Sequence, residues 1–184
     1  EWYYKNAKAD AIFSYNAIKN KISKNKKILE VGGGIHLLTS YLKELNFYIT
    51  SIEPGSFGPH IDRIRNKILS SIDNKNIFTN TLEEFHEKKE KFDFIFSINV
   101  LEHTLDIRTH LEKCIEMLKD DKSLLYIMCP NYSFPFEGHF YKFFIPFAPN
   151  ITFKYLRKKE LINKLGEEKY LNILNQLNFN CNYF

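Results

Sequence analysis

The chain has 184 residues, of which 44% are hydrophobic and 26% are charged, a composition that is ordinary for one globular domain with a sizeable core. No apolar run reaches the roughly 20 residues of a membrane-spanning helix, and no signal-peptide pattern opens the chain. The net charge of +4 comes from lysines dispersed along the sequence, whereas a nucleic-acid groove needs a concentrated basic face.

The cysteines and histidines show no metal-binding pattern. Cys114, Cys129 and Cys181 are isolated and odd in number, and the six histidines form no cluster with the spacing of a zinc site. We therefore expect reduced cysteines, no bound metal ion and a cytoplasmic protein.

The first predicted elements are a helix, a strand and a second helix. Apolar residues at helical spacing in Trp2–Ile22 predict an N-terminal helix within residues 1–26. A short apolar strand, Ile28–Val31, then leads through three glycines into the amphipathic helix Leu37–Leu45. Glycines at a strand-to-helix turn let a ligand approach the backbone closely, because no Cβ is in the way. This turn is therefore the first candidate binding site.

The residues around the glycine turn indicate what kind of ligand it takes. Glu30 stands two residues before Gly32, where its negative charge disfavours a bound anion and favours a ligand with a cationic part. A dinucleotide site would have its third glycine at the position that Leu37 occupies. The pattern therefore argues against a nicotinamide dinucleotide.

A second predicted strand, Tyr48–Ile52, ends in Glu53, about 20 residues beyond the glycine turn. A carboxylate at this place suits two vicinal ribose hydroxyls, because it accepts two hydrogen bonds at once. The alternative is a solvated strand-end glutamate before the Pro54-Gly55 turn.

Three further strands complete the alternating pattern. They are predicted at Asn76–Thr81, Phe92–Ile98 and Ser123–Cys129, with a helix start at Leu82–Phe85 and a helix at Ile107–Leu118. The strand Phe92–Ile98 is almost wholly apolar, as expected of a parallel strand covered on both faces. The sequence thus predicts an α/β fold: a Rossmann-like, doubly wound, mostly parallel sheet with helices on both faces.

Residues 132–150 differ from the rest of the chain, because they are dense in aromatics and prolines and leave the carboxyl end of a strand. We interpret them as a substrate lid, with Glu137, His139 and Tyr141 as its polar candidates. The alternative is an aromatic loop that covers a core edge or docks a partner. Residues 151–184 are predicted as a helical segment followed by the start of a further strand.

Two motifs resemble the class I S-adenosylmethionine-dependent methyltransferases. The first motif of that family is an acidic residue followed by three glycines at alternate positions, which Glu30, Gly32 and Gly34 match while His36 replaces the third glycine. The run Val100-Leu101-Glu102-His103 is similar to the segment that follows the fourth strand in small-molecule methyltransferases of this family. The resemblance covers residues 27–131 and implies S-adenosyl-L-methionine as cofactor. The cofactor-binding residues that it implies, with adenine at Thr81 and Leu82 and methionine above Asn99, are Glu30, Gly32, Gly33, Gly34, Glu53, Thr81, Leu82 and Asn99.

The function implied is methyl transfer to a small-molecule acceptor, by a single methyltransferase-like domain. For a hydroxyl acceptor, His139 or His103 is the expected base, although His103 could equally contact substrate or cap the next helix. A nicotinamide-dependent oxidoreductase and a non-catalytic cofactor-binding module remain alternatives. The chain begins with Glu1 and carries signals for five or six of the seven strands of the resembled fold, so we expect a fragment without the C-terminal hairpin. The acceptor and the oligomeric state stay open.

Overall fold

The computed structural model describes residues 2–104 and 106–129, together with the backbone of residues 136–137 and 142–143. In chain order its helices and strands are α1 (Trp2–Ile18), β1 (Lys27–Val31), α2 (Leu37–Glu44), β2 (Tyr48–Ile52), α3 (Pro59–Leu69), β3 (Ile77–Phe78), α4 (Leu82–His86), β4 (Phe94–Ile98), a 3₁₀ turn (Leu101–His103), α5 (Ile107–Glu116), β5 (Leu124–Met128), β6 (Phe136–Glu137) and β7 (Lys142–Phe143).

The first five strands form one parallel sheet in the order β3-β2-β1-β4-β5. This arrangement confirms the predicted fold class. The sheet belongs to one compact unit, Glu1–Leu101 with Thr109–Met128. In the register of the sheet, Glu30 of the central strand pairs with Ser51 of β2 and with Phe96 of β4. The short strands β6 and β7 pair with each other in antiparallel fashion.

Buried side chains cover both faces of the sheet, because neighbouring residues of each strand point to opposite sides. One face carries the cluster that includes the helices α4 and α5: Leu29, Val31, Ile52, Leu82, Phe85, Phe92, Ile95, Cys114 and Met117. The other face carries the cluster of α1 and α2: Ile18, Ile22, Ile28, Leu38, Leu42, Ile49, Phe94 and Phe96. The alternation of the two clusters along β4 explains why that strand is apolar at every position except Ser97.

The element bounds differ from the sequence prediction in a few places. The strand β2 has the predicted limits, whereas β3 has only two residues and α1 ends at Ile18 instead of Ile22. The helix α3, which the sequence analysis did not locate, begins at Pro59, a residue suited to the first helical position because it has no N–H to leave unpaired. Within residues 132–150, β6 and β7 lie where a loop was expected. The predicted segment 151–184 lies outside the described residues.

Among the helices of the described residues, none is both long enough and apolar enough to cross a bilayer.

Candidate functional site

The candidate site lies at the carboxyl edge of the parallel sheet. The chain winds from β1 through β2 to β3 in one direction and continues through β4 and β5 in the other, so the order reverses between β1 and β4. In open α/β sheets, ligands bind at this topological switch point, outside the carboxyl ends of the strands. The glycine turn follows β1 and the Asn99-Val100 segment follows β4, so the structure brings both predicted segments to the switch point.

The glycine turn is a left-handed backbone segment that hydrogen bonds to β2. Gly32 (φ 84°), Gly34 (φ 55°) and His36 (φ 61°) all have positive φ, which glycine adopts without steric cost. The N–H groups of Gly32 and Gly33 both donate to the carbonyl of Ile52, at 2.9 and 3.1 Å. The turn is therefore held against the end of the neighbouring strand.

Each of the three glycines faces different surroundings. A Cβ on Gly32 would lie 2.1 Å from Cγ2 of Val100, so this glycine permits the close approach of the segment after β4. A Cβ on Gly33 would lie 2.3 Å from Oγ of Ser51 and 2.5 Å from Nδ1 of His36. A Cβ on Gly34 would meet no heavy atom within 4 Å. Of the three, Gly34 is thus the one that borders open space.

Glu30 is buried beneath the turn, where two hydroxyl groups solvate its carboxylate. Ser51 Oγ donates to Oε2 of Glu30 at 2.9 Å, and Thr39 Oγ1 donates to the same oxygen. Burial raises the pKa of Glu30 above its usual range, whereas the hydrogen bonds from Thr39 and Ser51 lower it and the charge of Glu53 raises it further. The predicted site residue Glu30 therefore lies below the turn, buried and hydrogen bonded to Thr39 and Ser51.

Glu53 ties the glycine turn to the turn that follows β2. Its Oε2 accepts the N–H of Gly34 at 2.9 Å, and its Oε1 accepts the N–H of Gly55 at 3.1 Å. The guanidinium of Arg65, on α3, donates to the carbonyl of Gly55 at 2.6 Å and so supports the same turn. Each carboxylate oxygen has a second lone pair, so Glu53 can still accept hydrogen bonds from a ligand.

The N-terminal helix brings Tyr3 towards Glu53. Burial raises the pKa of the Tyr3 phenol, and the carboxylates of Glu53 and Asp10 raise it further. The sequence analysis did not identify Tyr3, because the residue carries no motif and its place depends on how α1 packs.

Thr81 and Leu82, the predicted adenine contacts, have structural roles at the start of α4. Thr81 caps the helix: its side chain accepts the N–H of Glu84 at 3.2 Å, and Glu84 accepts the N–H of Thr81 at 3.0 Å. This capping box satisfies two backbone donors that a helix start leaves unpaired. Leu82 is buried in the core beside Phe85. An adenine contact at either residue stays a prediction.

The residues after β4 occupy the other side of the switch point. Asn99 is exposed and left-handed (φ 56°), a conformation that asparagine tolerates better than most residues, and its N–H donates to the carbonyl of Met128 at 2.9 Å. His103 is exposed and ends the 3₁₀ turn. Of the predicted lid residues, Glu137 lies in β6, whereas His139 and Tyr141 lie outside the described residues.

Sequence reasoning missed most of the network around Glu30. Ser51 and Thr39 were not predicted as site residues, because a single serine or threonine belongs to no motif. His36 was noted only as a departure from the motif. One signal was present: Ser51, on β2, stands two residues before Glu53, so the two side chains are expected on the same face of the sheet. Thr39 follows the turn within the first helical turn of α2, which favours a contact back to β1.

An all-parallel five-stranded sheet with a glycine turn at its switch point defines the chain as a Rossmann-like α/β protein. A family model described as a methyltransferase domain matches residues 3–182, and the chain belongs to this family. This match confirms the resemblance to methyltransferases on which the sequence analysis relied.

Several known proteins are similar to parts of the chain. An uncharacterized protein of Mycobacterium tuberculosis is 39% identical over 116 residues, which is 61% of this chain and 39% of that protein. The mitochondrial ubiquinone biosynthesis O-methyltransferase of Homo sapiens is 34% identical over 111 residues, 53% of this chain and 27% of the enzyme. The chain thus spans well under half the length of these relatives.

One solved structure shows the same fold at low identity. The glycopeptide N-methyltransferase MtfA, complexed with sinefungin, superposes with a TM-score of 0.51 and 12% identity, covering 71% of this chain and 56% of that one. At this identity the likeness supports the fold alone.

Proposed function

We propose that this domain binds S-adenosyl-L-methionine at the glycine turn and transfers its methyl group to a small-molecule acceptor. The observation that carries the proposal is the pairing of Gly34, which borders open space, with Glu53, whose carboxylate reaches the N–H of that glycine. Family membership supports the same reading, because the model that matches the chain is a methyltransferase domain. The isolated cysteines favour a cytoplasmic location.

The residues present suit this cofactor. Gly34 leaves room above the turn, because nothing lies within 4 Å of the place that a Cβ would take. Glu53 offers the remaining lone pairs of its carboxylate to two ribose hydroxyls. Glu30 is buried beneath the turn, where it accepts hydrogen bonds from Ser51 and Thr39. Thr81, Leu82 and Asn99 stay our candidates for the adenine and methionine ends.

In this reaction the main task of the protein is to align the acceptor with the methyl group. The bound cofactor supplies an activated methyl group with a good leaving group. The chain must therefore hold the acceptor in line with that methyl group, so that proximity and orientation carry much of the rate. For a hydroxyl acceptor a base takes up the acceptor's proton, and His103 and His139 are the candidates.

A hydroxyl acceptor is the first to test. Three of the relatives, from Chelativorans, Homo sapiens and Bos taurus, carry the name ubiquinone biosynthesis O-methyltransferase. We therefore propose a small molecule with a free hydroxyl group as the acceptor class. An amine acceptor would need neither histidine as a base.

The proposal is tested first by calorimetric titration with S-adenosylhomocysteine, with NADH as competitor. We expect binding that NADH does not displace, and Glu53→Ala should weaken it about 100-fold, because hydrogen bonds to a charged group contribute about 1.5–3 kcal/mol. The matched control is Glu112→Ala, which removes an exposed glutamate on α5. Displacement by NADH would favour an oxidoreductase instead, and an unchanged affinity in Glu53→Ala would refute the site.

Turnover is tested separately with a panel of catechols, phenols and amines, by following the formation of S-adenosylhomocysteine. Product from a hydroxyl acceptor should fall in His103→Ala or His139→Ala if either histidine is the base. Binding of the cofactor without turnover of any acceptor would identify a non-catalytic binding module.

A further inference from the structure

His36 stands where the methyltransferase motif has its third glycine, and its side chain is turned into the protein. The residue has φ 61° at the N-terminal boundary of α2, and only 1% of its surface is exposed. Its Nδ1 lies 3.1 Å from Oγ of Ser51, and that hydroxyl in turn donates to Glu30 at 2.9 Å. The imidazole is therefore part of a buried polar chain that runs beneath the glycine turn to the carboxylate of β1.

The imidazole also fills the space next to Gly33. A Cβ on that glycine would lie only 2.5 Å from His36 Nδ1 and 2.8 Å from its Cε1. In the motif, position 33 is one of the variable places between glycines and position 36 is a glycine. This chain has the reverse arrangement: position 36 is a histidine, and position 33 is a glycine. Gly33 is not among the residues with positive φ, so its backbone does not itself require glycine.

We propose that His36 is a positioning residue of the cofactor turn, whose imidazole occupies the space that glycine at position 33 leaves open and holds Ser51 and Glu30 in place. Its effect on cofactor binding rests on the proposed function. Its packing against Gly33 does not.

The protonation state of the chain of polar groups follows from its hydrogen bonds. Burial lowers the pKa of His36 to about 4, and the nearby charge of Arg65 lowers it as well, so the imidazole is neutral at pH 7. The hydroxyl proton of Ser51 is directed at Glu30. Nδ1 of His36 therefore carries the proton and donates to Ser51, which orients the hydroxyl towards the carboxylate.

The first experiment is a double-mutant cycle on the protein without ligand: wild type, Gly33→Ala, His36→Gly and the double variant, each followed by thermal unfolding. In the wild type, Gly33→Ala should lower the melting temperature by about 4–8 °C, because overpacking a core position commonly shifts a domain of this size by that amount. In the His36→Gly background the same substitution should cost measurably less, since the two imidazole contacts are absent and only the contact with Oγ of Ser51 remains. If Gly33→Ala lowered the melting temperature equally in both backgrounds, the idea that the His36 imidazole fills the space beside Gly33 would be refuted.

The second experiment measures the affinity for S-adenosylhomocysteine in His36→Ala and His36→Asn. Asparagine tolerates the left-handed backbone and keeps an N–H donor for Ser51, whereas alanine keeps neither. We expect about tenfold weaker binding for His36→Ala and affinity within about threefold of wild type for His36→Asn, a rescue that loss of stability alone does not produce. Equal affinity in His36→Ala and wild type would overturn the positioning role.

The two experiments separate this inference from the proposed function. A wild-type chain that binds neither S-adenosylhomocysteine nor sinefungin refutes the proposed function and with it any role of His36 in cofactor binding. The unfolding cycle still decides in that case whether His36 and Gly33 are coupled, because it uses no ligand.

Discussion

Acidification should destabilise this domain through His36. In the unfolded chain the histidine has a pKa of 6.5, whereas in the folded chain burial lowers the pKa to about 4. Between these two values the unfolded state binds more protons, so the free energy of unfolding falls as the pH falls. Integrating this difference from pH 7 to pH 5 gives a loss of about 2 kcal/mol, a large part of the stability of a typical domain.

The prediction is measured by urea unfolding, followed by circular dichroism, of the wild type and His36→Asn at pH 7, 6 and 5. Two other buried groups also titrate: burial lowers the pKa of His110, which adds to the loss, and raises that of Glu30, which opposes it. Both groups are present in both proteins, and asparagine keeps a donor for Ser51 beside Glu30, so the difference between the two curves reports chiefly the titration of His36. Asparagine suits the left-handed backbone and does not titrate, which makes it the matched replacement.

The wild type should lose about 2 kcal/mol more than His36→Asn between pH 7 and pH 5, and its melting temperature should fall by about 4–8 °C more. Stability profiles that stay parallel over this range would show that His36 has the same proton affinity folded and unfolded. The account of a buried, neutral imidazole would then be wrong.

Three further predictions concern packing and capping around the site. Gly32→Ala should lower the free energy of unfolding by about 2–4 kcal/mol, because it combines a left-handed backbone with a clash against Val100, and Val100→Ala should restore part of it; no recovery would contradict the clash. Thr81→Ala should cost about 1 kcal/mol in urea unfolding and Thr81→Ser almost nothing, since serine keeps the capping hydroxyl; equal losses would argue against the cap. Burial raises the pKa of Cys114 to about 12, so mass spectrometry should find it unmodified by iodoacetamide at pH 8 until urea unfolds the chain; labelling in the native protein would contradict its burial.

Much of the fold could be predicted because the signals are local. The limits of β2 follow from an apolar run bounded by turn residues, and the fold class follows from the alternation of strands and helices. The third strand was predicted too long, because the polar residues Asn80 and Thr81 were counted as its end although Thr81 is already the cap of α4. A cap and a strand end look alike in sequence, and only the hydrogen bond to Glu84 tells them apart.

The interior of the site could not be predicted to the same degree. Glu30 was predicted beside the glycine turn, but the sequence does not distinguish a carboxylate that faces a ligand from one that is buried, as Glu30 is. Its burial depends on hydroxyl donors from β2 and α2, which lie 21 and 9 residues away in sequence. Such long-range pairs follow from strand register and helix packing, which no local pattern encodes.

Strand register decides which of the two carboxylates is buried beneath the glycine turn and which reaches the N–H groups of the turns. In the parallel pair of β1 and β2, Glu30 lies opposite Ser51, so its side chain shares a face of the sheet with that hydroxyl and with Thr39 of α2. Glu53 follows two residues after Ser51, just beyond the last strand position, where its oxygens reach the N–H groups of both turns instead. A slip of one residue in the register would place Thr50 or Ile52 opposite Glu30. The side chain of Ser51, which donates to Glu30, would then point to the other face of the sheet. The two acids are therefore not interchangeable: Glu30 is buried beneath the glycine turn, and Glu53 joins the N–H groups of the two turns.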